Sequence, residues 1–226
     1  MVALFVLASI ILFVLIDVAV QRVQRRGEAM APAASKLPVA DRFLVPRGYF
    51  LSRGHSWIEL LFSGNARIGV DDFVQKLVGS VDSIRVVPAN SVISKGDPLF
   101  TITRQGRTLT IPSPLSGKVL EVNSELMREP TAFNTDPYVS GWGVVLEPAR
   151  LATELRLLTI AEGAASWLKG EVSRFRDFIK ESASRMSATP LPAGVTLLDG
   201  GTPVSGVLQM TDEKTWKAFE HEFLSL

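Results

Sequence analysis

Residues 109–122, which read LTIPSPLSGKVLEV, decide the fold. Short apolar runs, residues 109–111 and 118–122, lie at its two ends, and a segment rich in proline, serine and glycine joins them. Pro114 fixes its own φ at about −65°, and Ser116-Gly117 supplies a tight turn, so the two runs are predicted to be short strands. Similar runs lie upstream, separated mostly by Gly, Pro, Asn or Asp, which is typical of a mainly β domain. They are residues 57–62, 66–70, 83–87 and 98–103.

Helical patterns interrupt and follow these strands. Residues 71–79 have acidic side chains in the first turn and end in glycine, as a short helix does. After residue 148, apolar side chains recur at helical spacing, with a break predicted near Gly163 or Gly170. A last short helix is predicted near the end of the chain, capped by the side chain of Thr211 or Asp212.

The first residues predict a membrane anchor. Residues 2–20 read VALFVLASIILFVLIDVAV and contain one charged residue, Asp17. About 20 apolar residues in a helix span the hydrocarbon layer of a bilayer. Arg22, Arg25 and Arg26 follow the span and no basic residue precedes it, which predicts an outward N-terminus and a cytoplasmic remainder. We therefore expect a single-pass protein of the inner, cytoplasmic membrane.

Other interpretations of this stretch fit less well. A secretory signal peptide needs a basic start, and only Met1 and Val2 precede the apolar run. A buried core helix of this length would not be apolar on every face. Asp17 belongs with the three arginines to a predicted membrane-interface set. Its carboxylate either reaches the headgroups or pairs with a partner helix, and both interpretations stay open.

Composition bears on the chemistry that the chain could carry. It has no cysteine, which excludes disulfides, Cys-ligated zinc and iron–sulfur clusters. Its two histidines, His55 and His221, lie far apart, so no His-based metal site is expected. His55 is interpreted as a core residue, since no sequence neighbour offers a partner base. With 24 Lys and Arg against 23 Asp and Glu, no large basic surface for nucleic acid is expected.

Residues 53–148 resemble the H protein of the glycine cleavage system, a lipoyl-carrier domain of the barrel-sandwich hybrid type. The order and spacing of four segments carry the resemblance, which implies a mainly β fold. The segments are Gly-His-Ser-Trp at 54–57, Ile-Gly-Val-Asp-Asp-Phe at 68–73 with Gln75 and Gly79, Ser-Pro-Leu-Ser-Gly-Lys-Val at 113–119, and Asn-Thr-Asp-Pro-Tyr at 134–138 with Gly141-Trp142.

The resemblance also exposes a departure from the family. In the family, the lipoyl group is amide-linked to a lysine at a hairpin tip, and that position here is Gly106. No lysine lies between Lys95 and Lys118, so a shifted register does not supply one. Arginine cannot replace it, because the guanidinium stays protonated. The flanking Arg104 and Arg107 are either two solvated side chains or a docking pair for an acidic partner or anionic lipid.

The predicted protein is a transmembrane anchor (1–24), a linker (25–46), an H-protein-like β domain (47–150), a helical extension (151–186) and a Pro/Gly-rich segment with a terminal helix (187–226). We expect no catalytic residues, cofactor, metal or small-molecule substrate. The expected function is a non-catalytic scaffold, an accessory subunit of a membrane complex, with a respiratory or electron-transfer assembly favoured as host. Its expected partners are other subunits and the lipid bilayer. The alternatives are a component of carrier or transport machinery that uses a lipoyl-like fold, and an enzyme, for which no nucleophile, base and orienting residue stand at readable spacing.

Overall fold

Ten short strands form two sheets within the residues that the computed structural model describes, 43–185 and 205–226. The strands are β1 Tyr49–Leu51, β2 Ser56–Leu60, β3 Ala66–Val70, β4 Ser83–Val86, β5 Val92–Ile93, β6 Pro98–Arg104, β7 Arg107–Pro112, β8 Gly117–Val122, β9 Trp142–Pro148 and β10 Thr159–Ile160. The larger sheet has the order β10-β1-β2-β3-β9-β8-β5, and the smaller has the order β4-β6-β7. The mainly β fold that the sequence predicts is confirmed.

Apolar side chains on the inner faces of both sheets form one core. In β6 and β7, Phe100, Ile102, Leu109 and Ile111 are fully buried, while the intervening residues are more exposed. This alternation is expected of strands that cover a core with one face. Gly117, predicted as a turn residue, begins β8, where a Cβ would collide with the backbone of β9. Close backbone approach therefore requires glycine there. Gly117 does not have a positive φ and is already part of β8, so the predicted turn conformation is not the reason.

Six α-helices accompany the sheets in the described part of the chain. They are α1 Asp72–Val78, α2 Ser124–Arg128, α3 Ala132–Thr135, α4 Leu151–Glu154, α5 Ala161–Arg185 and α6 Glu213–Phe223. Asp71 caps α1 by accepting a hydrogen bond from the Val74 N–H, and Gly79 ends it with φ +69°. The predicted short helix is therefore present with both of its sequence signals in use.

The predicted break in the helical extension lies at a different place. Helix α5 runs without interruption through Gly163 and Gly170, so the prediction of a break near either residue was wrong. The interruption falls earlier, where a 3-10 turn, Leu155–Leu157, and the two-residue strand β10 separate α4 from α5. Pairing of β10 with β1 overrides the helical spacing of this stretch.

The terminal helix α6 packs against its own chain. Its N-cap is Asp212, whose carboxylate accepts a hydrogen bond from the Thr215 N–H at 2.8 Å. Trp216, Phe219 and Phe223 lie on one face and are fully buried. The apolar face of α6 therefore closes the core of the domain.

The predicted membrane span and its interface residues lie outside the described part of the chain. The same is true of residues 186–204. Among the helices of residues 43–185 and 205–226, none is long and apolar enough to cross a bilayer.

Candidate functional site

The β6–β7 hairpin carries the position that the resemblance assigns to a lipoyl-bearing lysine. Its strands end at the pair of Arg104 with Arg107, and Gln105 and Gly106 form the turn with φ +49° and +76°. Positive φ at both central residues suits the twist of the flanking strands. A Cβ on Gly106 would meet nothing within 4 Å. Gly106 therefore lies at an open hairpin tip, and this residue offers no amine.

Arg104 is held by two side chains of its own chain. Its guanidinium donates to Asp82 Oδ1 at 2.7 Å and to Gln209 Oε1 at 3.2 Å. The backbone N–H of Gln105 donates to the other Asp82 oxygen at 2.6 Å. The Gln105 N–H and the Arg104 guanidinium together hold the pKa of the Asp82 carboxyl below its usual value. Asp82 thus fixes the hairpin tip.

Arg107 contacts the last part of the chain. Its guanidinium donates to the carbonyls of Thr211 at 2.7 Å and Gln209 at 3.1 Å, and it lies 4.5 Å from the centre of the Trp216 ring. An arginine over an indole face gains from the ring quadrupole as well as from hydrogen bonds. The predicted docking role of Arg104 and Arg107 stays a prediction, and a partner would have to compete with these contacts.

Residues 205–226, called here the C-terminal segment, cover the free edge of β7. The Trp216 Nε1–H donates to the Thr108 carbonyl at 2.7 Å, and Glu220 Oε1 accepts from the Thr110 N–H at 2.7 Å. An uncovered edge strand presents unpaired backbone N–H and carbonyl groups to the strands of other chains. Two side chains one helical turn apart on α6 therefore satisfy hydrogen bonds that a neighbouring strand would otherwise make.

The start of the C-terminal segment is attached to the end of α1. The Gly206 N–H donates to the Lys76 carbonyl at 2.7 Å, and the Gln209 side chain donates to the Val78 carbonyl at 2.6 Å. These carbonyls belong to the last turn of α1, which has no intrahelical partners for them. The C-terminal segment thus joins α1 to the hairpin.

A second polar cluster lies in the core around His55. Its Nδ1 is 2.7 Å from Asp71 Oδ2, and its Nε2 is 3.7 Å from Glu171 Oε2 on α5. The imidazole is fully buried, stacked on Phe73 and tilted against Trp167. Burial lowers the pKa of His55, but the Asp71 and Glu171 carboxylates raise it more, to about 9. His55 is therefore a buried cation at neutral pH that links α1 and α5.

The partner of His55 was missed in the sequence, although a signal for it was present. The interpretation of His55 as a core residue agrees with its burial. Its partner Asp71 lies sixteen positions away in the sequence, so a search among the neighbours of His55 did not find it. Ser56 pairs with Val70 in the β2–β3 hairpin, so the next position outward brings His55 opposite Asp71. Hairpin register, rather than proximity in sequence, identifies the pair.

The remaining predicted site residues are those of the membrane-interface set. Asp17, Arg22, Arg25 and Arg26 lie outside the described residues. Among residues 43–185 and 205–226, no group of three or more His, Cys, Asp or Glu side chains is placed to hold a metal ion.

Comparisons of the sequence with a family model and with individual proteins agree on one family. The model of the family described as glycine cleavage H-protein matches residues 49–171. A probable glycine cleavage system H protein from Pyrococcus furiosus is 31% identical over 127 residues, which are 56% of this chain and 94% of the relative. The glycine cleavage system H protein of Carboxydothermus hydrogenoformans is 36% identical over 105 residues, 46% of this chain and 79% of the relative.

A solved structure is also similar. It is a glycine cleavage system H protein from Mycobacterium marinum, with a TM-score of 0.46 and 19% sequence identity, covering 56% of this chain and 99% of that one. The family match leaves residues 1–48 and 172–226 of this chain outside its range. The C-terminal segment, which contacts the hairpin, therefore lies entirely beyond the matched region.

Proposed function

This chain belongs to the glycine cleavage H-protein family, and from that premise we propose that it is a member without a lipoyl arm that serves as a non-catalytic scaffold. It is anchored in the inner membrane and acts as an accessory subunit of a membrane complex. A respiratory or electron-transfer assembly remains the host that we favour.

The observation that carries the proposal is the chemistry of the hairpin tip. Lipoyl attachment needs a primary amine on a long exposed stem, and Gly106 occupies the open tip with no side chain. The sequence offers no lysine from residue 96 to residue 117 that could replace it. A neighbouring arginine does not serve, because its guanidinium stays protonated and is a poor nucleophile.

The use of the hairpin flank supports the same proposal. Arg107, Thr108 and Thr110 are all engaged by the C-terminal segment through hydrogen bonds of 2.7 to 3.1 Å. A hairpin that anchors a packed helix serves as a structural element. A partner would then bind to the surface of the β domain that the C-terminal segment does not cover. A scaffold of this kind is compatible with the family's fold, because functions are carried by sites rather than by folds.

The histidine cluster supports a role without catalysis. His55 is fully buried between two aromatic rings, so a substrate cannot reach its imidazole. A general base must lie within hydrogen-bond reach of the proton that it abstracts. We therefore assign His55 to the stability of the fold.

The membrane anchor in this proposal rests on the sequence. Residues 2–20 are long and apolar enough to span a bilayer as a helix, and the arginines that follow orient it. Partner subunits would be recovered by co-purification from detergent-solubilised membranes, with the variant lacking residues 1–24 as control. If the variant lacking residues 1–24 neither associates with the membrane nor recovers the partner subunits, the accessory role is supported.

Intact-mass measurement of the purified native protein tests the central claim. We expect the mass of the unmodified chain, apart from any processing of the N-terminus. An H protein that retains the lysine, expressed in the same cells, is the positive control for lipoylation. A lipoyl adduct on any lysine of this chain would refute the armless carrier and the scaffold proposal together.

A further inference from the structure

The turn between β2 and β3 holds a large apolar side chain in full contact with solvent. Phe62 is completely exposed, whereas Leu61 beside it is half-buried. The turn is ordered by hydrogen bonds: the Leu61 N–H donates to the Asn65 carbonyl and the Gly64 N–H donates to the Leu61 carbonyl, both at 2.9 Å. The phenyl ring is thus held out by a defined turn, and no described residue covers it.

Two arginines lie at the same end of the seven-stranded sheet. Tyr49 pairs with Glu59, so Arg47, which precedes β1, is at the end of the sheet where Phe62 follows β2. Ala66 pairs with Leu146, so Arg150, which follows β9, is also there. Arg47 is exposed, and so is most of the Arg150 side chain. Because neighbouring strands lie about 4.8 Å apart, the four adjacent strands place these residues within roughly 15 Å of one another.

Two carboxylates at this end are already paired, and a third, the exposed Glu147 on β9, lies opposite Lys118 of β8. Glu59 forms an ion pair with Arg67 at 3.2 Å. The buried Glu154 accepts hydrogen bonds from the Ser116 hydroxyl and backbone, and Arg150 contacts it at 3.2 Å. An aromatic ring flanked by arginines has the composition of an interfacial membrane anchor, in which the ring enters the headgroup region and the guanidiniums meet lipid phosphates.

We propose that the β2–β3 turn is a bilayer-contacting tip, with Phe62 inserted among the lipid headgroups and Arg47 and Arg150 beside it. This inference rests on the proposed membrane anchor. If the span ends near residue 20, residues 21–42 connect it to the domain. Twenty-two residues reach at most about 75 Å even when fully extended, so the covalent connection limits how far the domain can lie from a bilayer that holds the span.

Site-directed labelling of the full chain tests the tip, because the protein has no cysteine of its own. Phe62→Cys carries an environment-sensitive fluorophore, and Val139→Cys is the matched control. Val139 is also an exposed apolar residue, but it precedes β9 and so lies at the opposite end of the same sheet. Both variants are reconstituted into phosphatidylcholine vesicles with and without phosphatidylglycerol, and headgroup-level nitroxide lipids serve as quenchers.

We expect a blue shift and a loss of fluorescence by quenching at position 62, stronger with the anionic lipid, and neither at position 139. If the chain floats with the vesicles but the label at 62 is not quenched, the tip is refuted while the anchor stands. Equal quenching at both positions also refutes it, since no defined face then meets the bilayer. Failure of the unmodified chain to float refutes the anchor and, with it, this inference.

Discussion

At the scale of single residues, His55 joins three parts of the fold through charge. It bridges Asp71, which caps α1, and Glu171, which lies on α5 and also contacts Arg174 at 3.1 Å. Removing one partner of a buried ion pair leaves the other charge uncompensated, at a cost of about 3–5 kcal/mol. The backbone of His55 adds a constraint, since its φ of +60° is uncommon for residues other than glycine. Charge and conformation thus both restrict this position.

The stability of the protein should depend on pH through His55. The folded-state pKa of about 9 lies above the ordinary value of 6.5, so the folded state binds the proton more tightly. The protonated imidazole therefore contributes about 3 kcal/mol to the free energy of unfolding. This contribution is fully present below pH 6.5 and is lost as the pH rises through 9. Denaturant unfolding followed by tryptophan fluorescence across this range measures it.

His55→Asn is the informative variant for that measurement. Asparagine tolerates a positive φ and can still donate to Asp71, but it does not titrate. The pH dependence between 6.5 and 9 should therefore flatten, even if the overall stability falls. His221→Asn, at an exposed position on α6, is the control and should retain the slope. An unchanged slope in His55→Asn would contradict the assignment of the proton to this imidazole.

Gly106→Lys should give at most weak lipoylation when a lipoate-attaching enzyme is co-expressed. Space for the side chain exists, but a φ of +76° disfavours any residue with a Cβ by about 1–2 kcal/mol. Arg104 and Arg107 also keep the tip positively charged, whereas the resemblance to H proteins implies an acidic residue at the position that Thr103 occupies here. Intact mass reports the modified fraction. The double variant Thr103→Glu with Gly106→Lys should be lipoylated to a larger fraction than the single variant. Complete lipoylation of the single variant would show that neither the backbone conformation nor the charge of the tip limits the modification.

At the scale of elements, a helix replaces a strand at the edge of the small sheet. The hydrogen bonds from Trp216 to Thr108 and from Thr110 to Glu220 use side chains spaced by one helical turn. Strand pairing at this edge would be open to other chains, and edge strands of natural proteins are commonly covered. The C-terminal segment therefore contributes both core packing and protection against association.

Trp216→Ala should destabilise the protein by about 3–5 kcal/mol, as expected for removal of a buried tryptophan. The indole is fully buried, donates to Thr108 and lies under Arg107, so all three contacts are lost together. The neighbouring Lys217→Ala is the control, because its side chain is largely exposed and its ion pair with Glu213 contributes little. Denaturant unfolding measures both variants, and similar midpoints would show that α6 does not complete the core.

At the scale of the whole molecule, the strands were predictable where turn chemistry marks them. Apolar runs predicted at 66–70, 98–103 and 118–122 correspond to β3, β6 and β8 within a residue at each end. Short strands were not predictable, because β5 and β10 have two residues each and form only by pairing with β8 and β1. The contacts of Arg107 with Thr211 and Trp216 were also beyond the sequence, since they join residues about a hundred positions apart. Local patterns carry no information on such pairing.

The orientation of the whole chain in the membrane is the remaining prediction. The arginines that follow residues 2–20 should stay on the cytoplasmic side, and no basic residue precedes the span to oppose them. A reporter active only in the cytoplasm, fused after Leu226, is therefore expected to be active, and an export-dependent reporter fused there is expected to be inactive.

The matched control for this orientation replaces Arg22, Arg25 and Arg26 with glutamine and adds three lysines after Met1. Because positive charge flanking the span sets its orientation, the charge-swapped chain should shift toward activity of the export-dependent reporter. Activity of the export-dependent reporter on the unmodified chain would overturn the predicted topology. It would also remove the cytoplasmic assignment from the proposed function, while leaving membership of the H-protein family untouched.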